Sequence, residues 1–192
     1  IVHLSASDAL DDIRKAKQEG LPFSVETCPH YLYFDAEHIH DDETFYKCAP
    51  PIREKSNQEK LWNAVKDGTI DFIVSDHSPC TPVLKCLTAG DFDKAWGGIA
   101  GLQFSFQALV TAGQKHGLSV EACNRLMSLK TAKFAGIQNK GKIAVGYSAD
   151  FFIYDENTDV NVTEESVKHK HKITPYQGHT MKGTILETYL HG

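Results

Sequence analysis

Short apolar runs alternate along this chain with longer segments of mixed polarity, and the runs end abruptly in polar residues. Ile1-Val2-His3-Leu4 breaks at the small polar turn Ser5-Ala6-Ser7 and leads into a helix expected from Asp8 to Glu19, with Ser7 or Asp8 as its cap and Gly20 as its stop. Leu21 to Thr27 reads as a second strand that opens into Cys28-Pro29-His30-Tyr31-Leu32. A helix from about Asn57 to Lys66 then precedes a third run, Ile70-Asp71-Phe72-Ile73-Val74, which stops at Ser75-Asp76-His77-Ser78-Pro79-Cys80. Strands separated by helices pair in parallel, so the three strand ends, at His3, at Glu26 to His30 and at Asp76, share one face.

The later pattern is helical and then β-rich. Residues 35 to 46 carry acids and histidines with few apolar anchors and read as a surface loop with a short helix. Residues 99 to 116 are expected to be helical, with Phe104, Phe106 and Leu109 in the core; Leu118 to Met127 continues helical behind a Ser119 cap, and Lys130 to Gly136 adds a last turn. From Gly141 onward, glycine-bounded turns frame apolar runs at Phe151 to Asp155 and Thr184 to Leu190, both strand signals. The one domain boundary predicted lies near Lys140, dividing residues 1–140 from residues 141–192.

Composition narrows the function classes. With 20 basic and 25 acidic residues the formal charge is −5, which offers nothing to nucleic acid or an anionic membrane surface. No apolar run approaches the roughly 20 residues that span a bilayer. Five cysteines without paired metal-finger spacing suggest reduced thiols in a cytosol-like compartment.

Asp76 is the first chemical candidate, because a buried strand that delivers an acid to its carboxyl end is how barrel enzymes set a carboxylate over a metal or substrate. Strand-end Asp residues also start Asx-turns, and a lone His such as His3 is commonly bonded to a backbone carbonyl; from the residues alone both readings stand. Glu26 and Lys47 are placed to pair across the loop face, and Cys28, Cys48 and Cys80 to come together there. His30 and His77 read as pocket or loop-bonding residues.

Five blocks carry a family resemblance: His3-Leu4-Ser5, Glu26-Thr27-Cys28-Pro29-His30-Tyr31, Lys47-Cys48-Ala49-Pro50-Pro51-Ile52-Arg53, Ser75-Asp76-His77-Ser78-Pro79-Cys80 and Ala95-Trp96-Gly97-Gly98-Ile99-Ala100-Gly101-Leu102-Gln103. In this order they resemble the cyclic-amidohydrolase group of metal-dependent amidohydrolases, and the fourth and fifth look like its allantoinase branch. The resemblance implies an α/β fold: the C-terminal part of a (β/α)8 TIM barrel, strands 6–8 with their helices, followed by part of a small β-sandwich domain. A whole barrel takes about 250 residues, so the chain of 192 is expected to be partial and inactive alone, with the edge at residues 1 to 5 unpaired.

By the same resemblance, His3 and Asp76 are metal ligands, Asp76 is also the catalytic base, and Ala49 and Gly97 hold the ring substrate through main-chain contacts. The cofactor implied is two divalent metal ions, zinc by expectation, bridged by a carboxylated lysine absent from this chain. The only His-x-His pairs, His38-Ile39-His40 and His169-Lys170-His171, read as exposed surface rather than the family's first-strand ligands. Two ligands do not hold a catalytic zinc, which takes about three from protein. The implied reaction is hydrolysis of the cyclic amide of allantoin to allantoate, with a small cyclic ureide as partner and a cytoplasmic homo-oligomer, a tetramer, as the full-length form. The alternatives are a hydantoinase or dihydropyrimidinase acting on a related ring, and a non-catalytic amidohydrolase-like scaffold. Gly97 after Trp96 stands where hydantoinases tend to carry Asn, which favours the allantoinase branch.

Overall fold

The computed structural model describes residues 1–192. Its first part is organised by parallel pairing. Strand β1 (Glu26–Thr27) lies parallel to β2 (Phe72–Ile73), in register Glu26↔Phe72 and Thr27↔Ile73, and the ladder extends through Asp71 N–H to Val25 O (2.8 Å) and Val74 N–H to Thr27 O (3.1 Å). On the other side of β1, Leu4 N–H donates to Glu26 O (2.8 Å) and Glu26 N–H to Ile1 O (3.0 Å), so the first residues are paired along one edge. Beyond β2, His77 makes a parallel bridge to Ile99. Val25, Ile70 and Ile73 are almost wholly buried, as strands covered on both faces must be. The regular strands are shorter than the apolar runs predict; Leu21 to Ser24 has no strand pairing, because Pro22 interrupts it and Gly20 reverses the chain just before.

Helices α1 (Leu10–Gln18) and α3 (Lys55–Asp67) connect these segments. The cap of α1 differs from expectation: neither Ser7 nor Asp8 caps by its side chain, and a 3-10 turn (Ser7–Ala9) precedes the helix. The orphan Ser7 N–H instead donates to Asn57 Oδ1 (2.6 Å), and Asn57 Nδ2 donates to Ser5 O (2.8 Å), so one amide of α3 closes both ends of the turn. Gly20, at φ 79°, does end α1: Gly20 N–H reaches Lys17 O and Leu21 N–H reaches Ala16 O, a left-handed stop suited to glycine.

One face of α3 buries Gln58, Leu61, Trp62 and Val65 at helical spacing. It clamps the short α2 (Pro29–Tyr33), since Trp62 Nε1 donates to Leu32 O (3.0 Å) and Gln58 Nε2 to Phe34 O (2.6 Å). These bonds satisfy carbonyls that a five-residue helix leaves free at its end.

The following helix, α4 (Ser105–Lys115), starts later than residue 99 because Ile99 is held in the bridge to His77 and a 3-10 turn (Leu102–Phe104) intervenes. Phe104 and Leu109 are buried and Phe106 partly so. Ser119 caps α5 (Val120–Asn124), accepting from Ala122 N–H at 3.2 Å; a π turn (Arg125–Leu129) then joins α5 to α6 (Lys130–Phe134).

After residue 140 the chain becomes antiparallel. Strand β3 (Phe151–Asp155) pairs with β6 (Thr184–Tyr189), with an irregularity between Ile153 and Tyr154, and β4 (Val160–Asn161) pairs with β5 (Thr180–Met181). Val162, Val167, Tyr176 and Met181 pack into the same buried cluster as Val25, Trp62 and Leu109. Polar ties reinforce that junction: Thr174 Oγ1 donates to Ala100 O (2.8 Å) and Gln107 Nε2 to Gly183 O (2.7 Å). No helix is long and apolar enough to cross a membrane.

Candidate functional site

The parallel segments deliver their polar ends to one place, and the backbone there is unusual. His3 has φ 37° and Asp76 φ 44°, in the left-handed region that costs an ordinary L-residue about 1–2 kcal/mol. Both lie near the point where an apolar run gives way to polar residues. Strained positions of this kind persist only where surrounding structure holds them, and they gather at functional sites. His3 N–H points to Glu26 Oε1 at 3.4 Å, which ties the first segment's end to β1.

Between these ends sits a group of potential metal donors. Donor atoms of Cys28, His30 and Asp76 lie within 4.8 Å of one another; Cys28 and His30 are buried and Asp76 is exposed. His30 Nε2 and His3 Nδ1 are buried with no hydrogen-bond partner. Burial, helped by the nearby His3, pushes the His30 imidazole down to about 3, so it is neutral at physiological pH and keeps a lone pair for a ligand. Orphaned ring nitrogens beside a carboxylate are the donor set a divalent cation uses, and these residues fit one. The number of available donors is larger than the two ligands the resemblance implies, since His30, expected to line the pocket or bond a loop, joins the group and its Nε2 has no partner. The signal that could have exposed it was present: Pro29 at the first turn of α2 turns the chain inward directly after β1.

Other expected neighbours fall differently. Lys47 does not pair with Glu26; its ammonium donates to Phe92 O and, at 3.1 Å, to Asp93 O. His77 Nδ1 accepts from Leu102 N–H (3.2 Å), as a loop-bonding histidine should. His38 and His40 are exposed, but His169 and His171 are half-buried: His169 Nε2 bonds Ile173 O (2.8 Å), and its ring faces that of His77 at 6.0 Å.

Ala49 and Gly97, far apart in sequence, are brought close together. A Cβ built on Gly97 would stand 3.3 Å from Ala49 Cβ and 3.7 Å from Ala49 N. At Gly98 a Cβ would fall 2.4 Å from Ser78 Oγ, so only glycine lets this bend close on the segment that follows Asp76. Residues 49 and 50 form a bend, and the peptide between them is cis. A cavity of about 630 Å³ opens beside it, lined by Lys47, Cys48, Pro51 and Phe92 among others. A second groove, about 850 Å³, lies between α5–α6 and β3–β6 and contains none of these residues.

The thiols are all free. Burial raises Cys28 strongly and, as the main cause, pushes Cys48 up to about 12 and Cys123 to about 11, so none of the three is a thiolate near neutral pH without a bound cation. In the native protein an aromatic disulfide reagent is expected to label the half-buried Cys80 and Cys86 and to leave Cys28, Cys48 and Cys123 unlabelled until denaturant is added. Peptide mass mapping reads this directly, and rapid native labelling of Cys28 would mean that its packing is open.

Comparison with known proteins gives a consistent result. The sequence profile described as the amidohydrolase family matches residues 1–192. Curated allantoinases of Streptomyces avermitilis, Arabidopsis thaliana and Saccharomyces cerevisiae are 45%, 44% and 45% identical over the whole of this chain, which covers 42%, 38% and 41% of them respectively. Among solved structures, a D-hydantoinase superposes with a TM-score of 0.88 at 30% identity, and the L-hydantoinase (dihydropyrimidinase) of Arthrobacter aurescens with 0.88 at 33%; the chain covers 43% of each. The chain thus spans about two-fifths of the length of the relatives it matches.

Proposed function

The chain belongs to the amidohydrolase family, and on that premise we propose that it forms part of an enzyme that hydrolyses the cyclic amide of allantoin to allantoate. The reading is supported by His3 and Asp76 both lying in the left-handed region at the ends of parallel segments, and by His3 Nδ1 and His30 Nε2 being buried there without hydrogen-bond partners. The choice of ring follows the curated relatives, named allantoinases at 39–45% identity, whereas the solved hydantoinases stand at 27–33%. In finer detail we read residues 1–140 as strands 6–8 of a (β/α)8 barrel with their helices, and residues 141–192 as part of a small β-sandwich domain. The shared core across that boundary makes the division one of chain pattern more than of packing.

His3 and Asp76 would supply two of the ligands to two divalent ions, of which zinc is the proposed identity, the bridging carboxylated lysine lying outside this chain, with Cys28 and His30 beside Asp76 close enough to shape the surroundings. When bound, the metal polarises the ring carbonyl and makes water a competent nucleophile at neutral pH. Asp76 would act as the base, accepting a proton as water adds to the carbonyl carbon and giving it to the ring nitrogen as the carbon–nitrogen bond breaks. Main-chain groups at Ala49 and Gly97 face the alternating N–H and C=O groups of a cyclic ureide, which orients the ring. The enzyme is proposed to be a cytoplasmic homo-oligomer, a tetramer.

Assay of the full-length, zinc-loaded protein on allantoin, hydantoin and dihydrouracil tests the ring. We expect allantoin to have the highest kcat/KM. A hydantoin preference of tenfold or more would favour the second reading, which the solved-structure neighbours support, and absence of turnover on all three with metal bound would favour a non-catalytic scaffold.

A further inference from the structure

Lys85 lies in the turn-rich segment between Pro79 and Phe92 and is 3% exposed. Its ammonium makes no ion pair with any carboxylate. Instead it donates to three main-chain carbonyls, Lys47 O (2.8 Å), Trp96 O (2.9 Å) and Gly98 O (2.5 Å), which uses all three of its N–H groups. Burying an ammonium without a counter-ion is costly, and burial pulls the pKa of Lys85 down to about 8, against the opposing influence of the Cys80 and Cys48 thiols. An apolar residue in a hydrophobic turn would avoid that cost entirely.

The identity of the three acceptors indicates what the ammonium does. Trp96 and Gly98 flank Gly97 on either side, and Lys47 precedes Ala49 by two residues. Ala49 and Gly97 approach so closely that a Cβ on Gly97 would stand 3.3 Å from Ala49 Cβ. A second tie, Trp96 N–H to Leu84 O (2.8 Å), fixes the same bend to the residue next to Lys85. The three carbonyls converge on the one ammonium, so the two bends that carry Ala49 and Gly97 are held to a single point.

We infer that Lys85 is a positioning residue for ring recognition: it locks the Lys47–Ala49 and Trp96–Gly98 bends into one rim whose main-chain groups meet a cyclic ureide at a fixed spacing. The inference rests on the proposed role of Ala49 and Gly97 in substrate binding. It deepens that role by assigning ring affinity to a residue that touches neither the substrate nor the metal.

Lys85→Met keeps the unbranched chain out to the ε position and removes every donor; Lys85→Gln keeps two. In the full-length zinc-loaded protein, with allantoin, hydantoin and dihydrouracil as substrates, Lys85→Met is expected to raise KM for the preferred ring roughly tenfold or more while kcat stays within about threefold, and Lys85→Gln to fall between it and wild type. Metal content should be unchanged in both. A purely structural role would lower the melting temperature and leave KM alone below it, so an unchanged KM in a folded Lys85→Met protein overturns the inference, as does failure of both variants to fold. Wild-type turnover of hydantoin in place of allantoin would refute the ring assignment while leaving the Lys85 effect measurable on hydantoin. No turnover of any ring by wild type would refute the reading, and the inference with it.

Discussion

Asp76→Asn is expected to lower kcat for ring opening by roughly 10³-fold in the full-length protein, the middle of the range for loss of a general acid–base group. The substitution is a clean one for a physical reason. Asp76 sits at φ 44°, and Asn tolerates the left-handed region about as well as any residue with a side chain. The fold should therefore be undisturbed, with an unchanged melting temperature, while the amide oxygen retains some capacity to coordinate. What is lost is the proton acceptor. Kinetics on allantoin with metal content determined on the same samples separates the two roles: loss of turnover with metal retained identifies the base, and loss of both identifies a ligand. Activity within tenfold of wild type would remove Asp76 from the chemistry.

Trp62→Ala should destabilise the protein by about 3–5 kcal/mol, as truncations of large buried aromatics do. Trp62 is fully buried, stacks on His116 with ring centroids 4.5 Å apart, and donates to the free carbonyl of Leu32. Alanine would leave a cavity and an unsatisfied acceptor together, and the second alone costs about 1–3 kcal/mol. Trp62→Phe should lie between, since it restores much of the volume but not the N–H. Urea unfolding midpoints at constant m-value are the measurement; a shift under about 1 kcal/mol would mean that α2 and α3 collapse onto the gap. Because α2 carries His30 and follows Cys28, the same variant is also expected to loosen the site from a distance of one helix.

Much of this arrangement was legible in the sequence, and the failures have specific causes. The alternation of apolar runs and helices placed His3, Asp76 and the Cys28–His30 turn on one face, because parallel pairing leaves the strand ends no other arrangement. Strand lengths were overcalled, since an apolar run records burial and not ladder hydrogen bonds. The cap of α1 was missed because its partner, Asn57, comes from a helix 50 residues away. For the same reason Lys85 gave no sign of itself: a lysine in a turn reads as surface, and only the tertiary fold reveals that the carbonyls it bonds come from two distant bends. Ala49 and Gly97 were reached by resemblance, and their close approach needs the same long-range closure.

The left-handed backbone at His3 and Asp76 bears on the history of the chain. At each position glycine would relieve about 1–2 kcal/mol of conformational strain, and Asn would do so in part. If the two residues hold the proposed metal, a chain released from catalysis would have a thermodynamic slope to descend, since substitutions that relieve the backbone there would also remove ligands. Neutral drift would run in that direction. A histidine and an aspartate at two left-handed backbone positions are held there against a local conformational cost, the arrangement expected if the proposed chemistry needs their side chains.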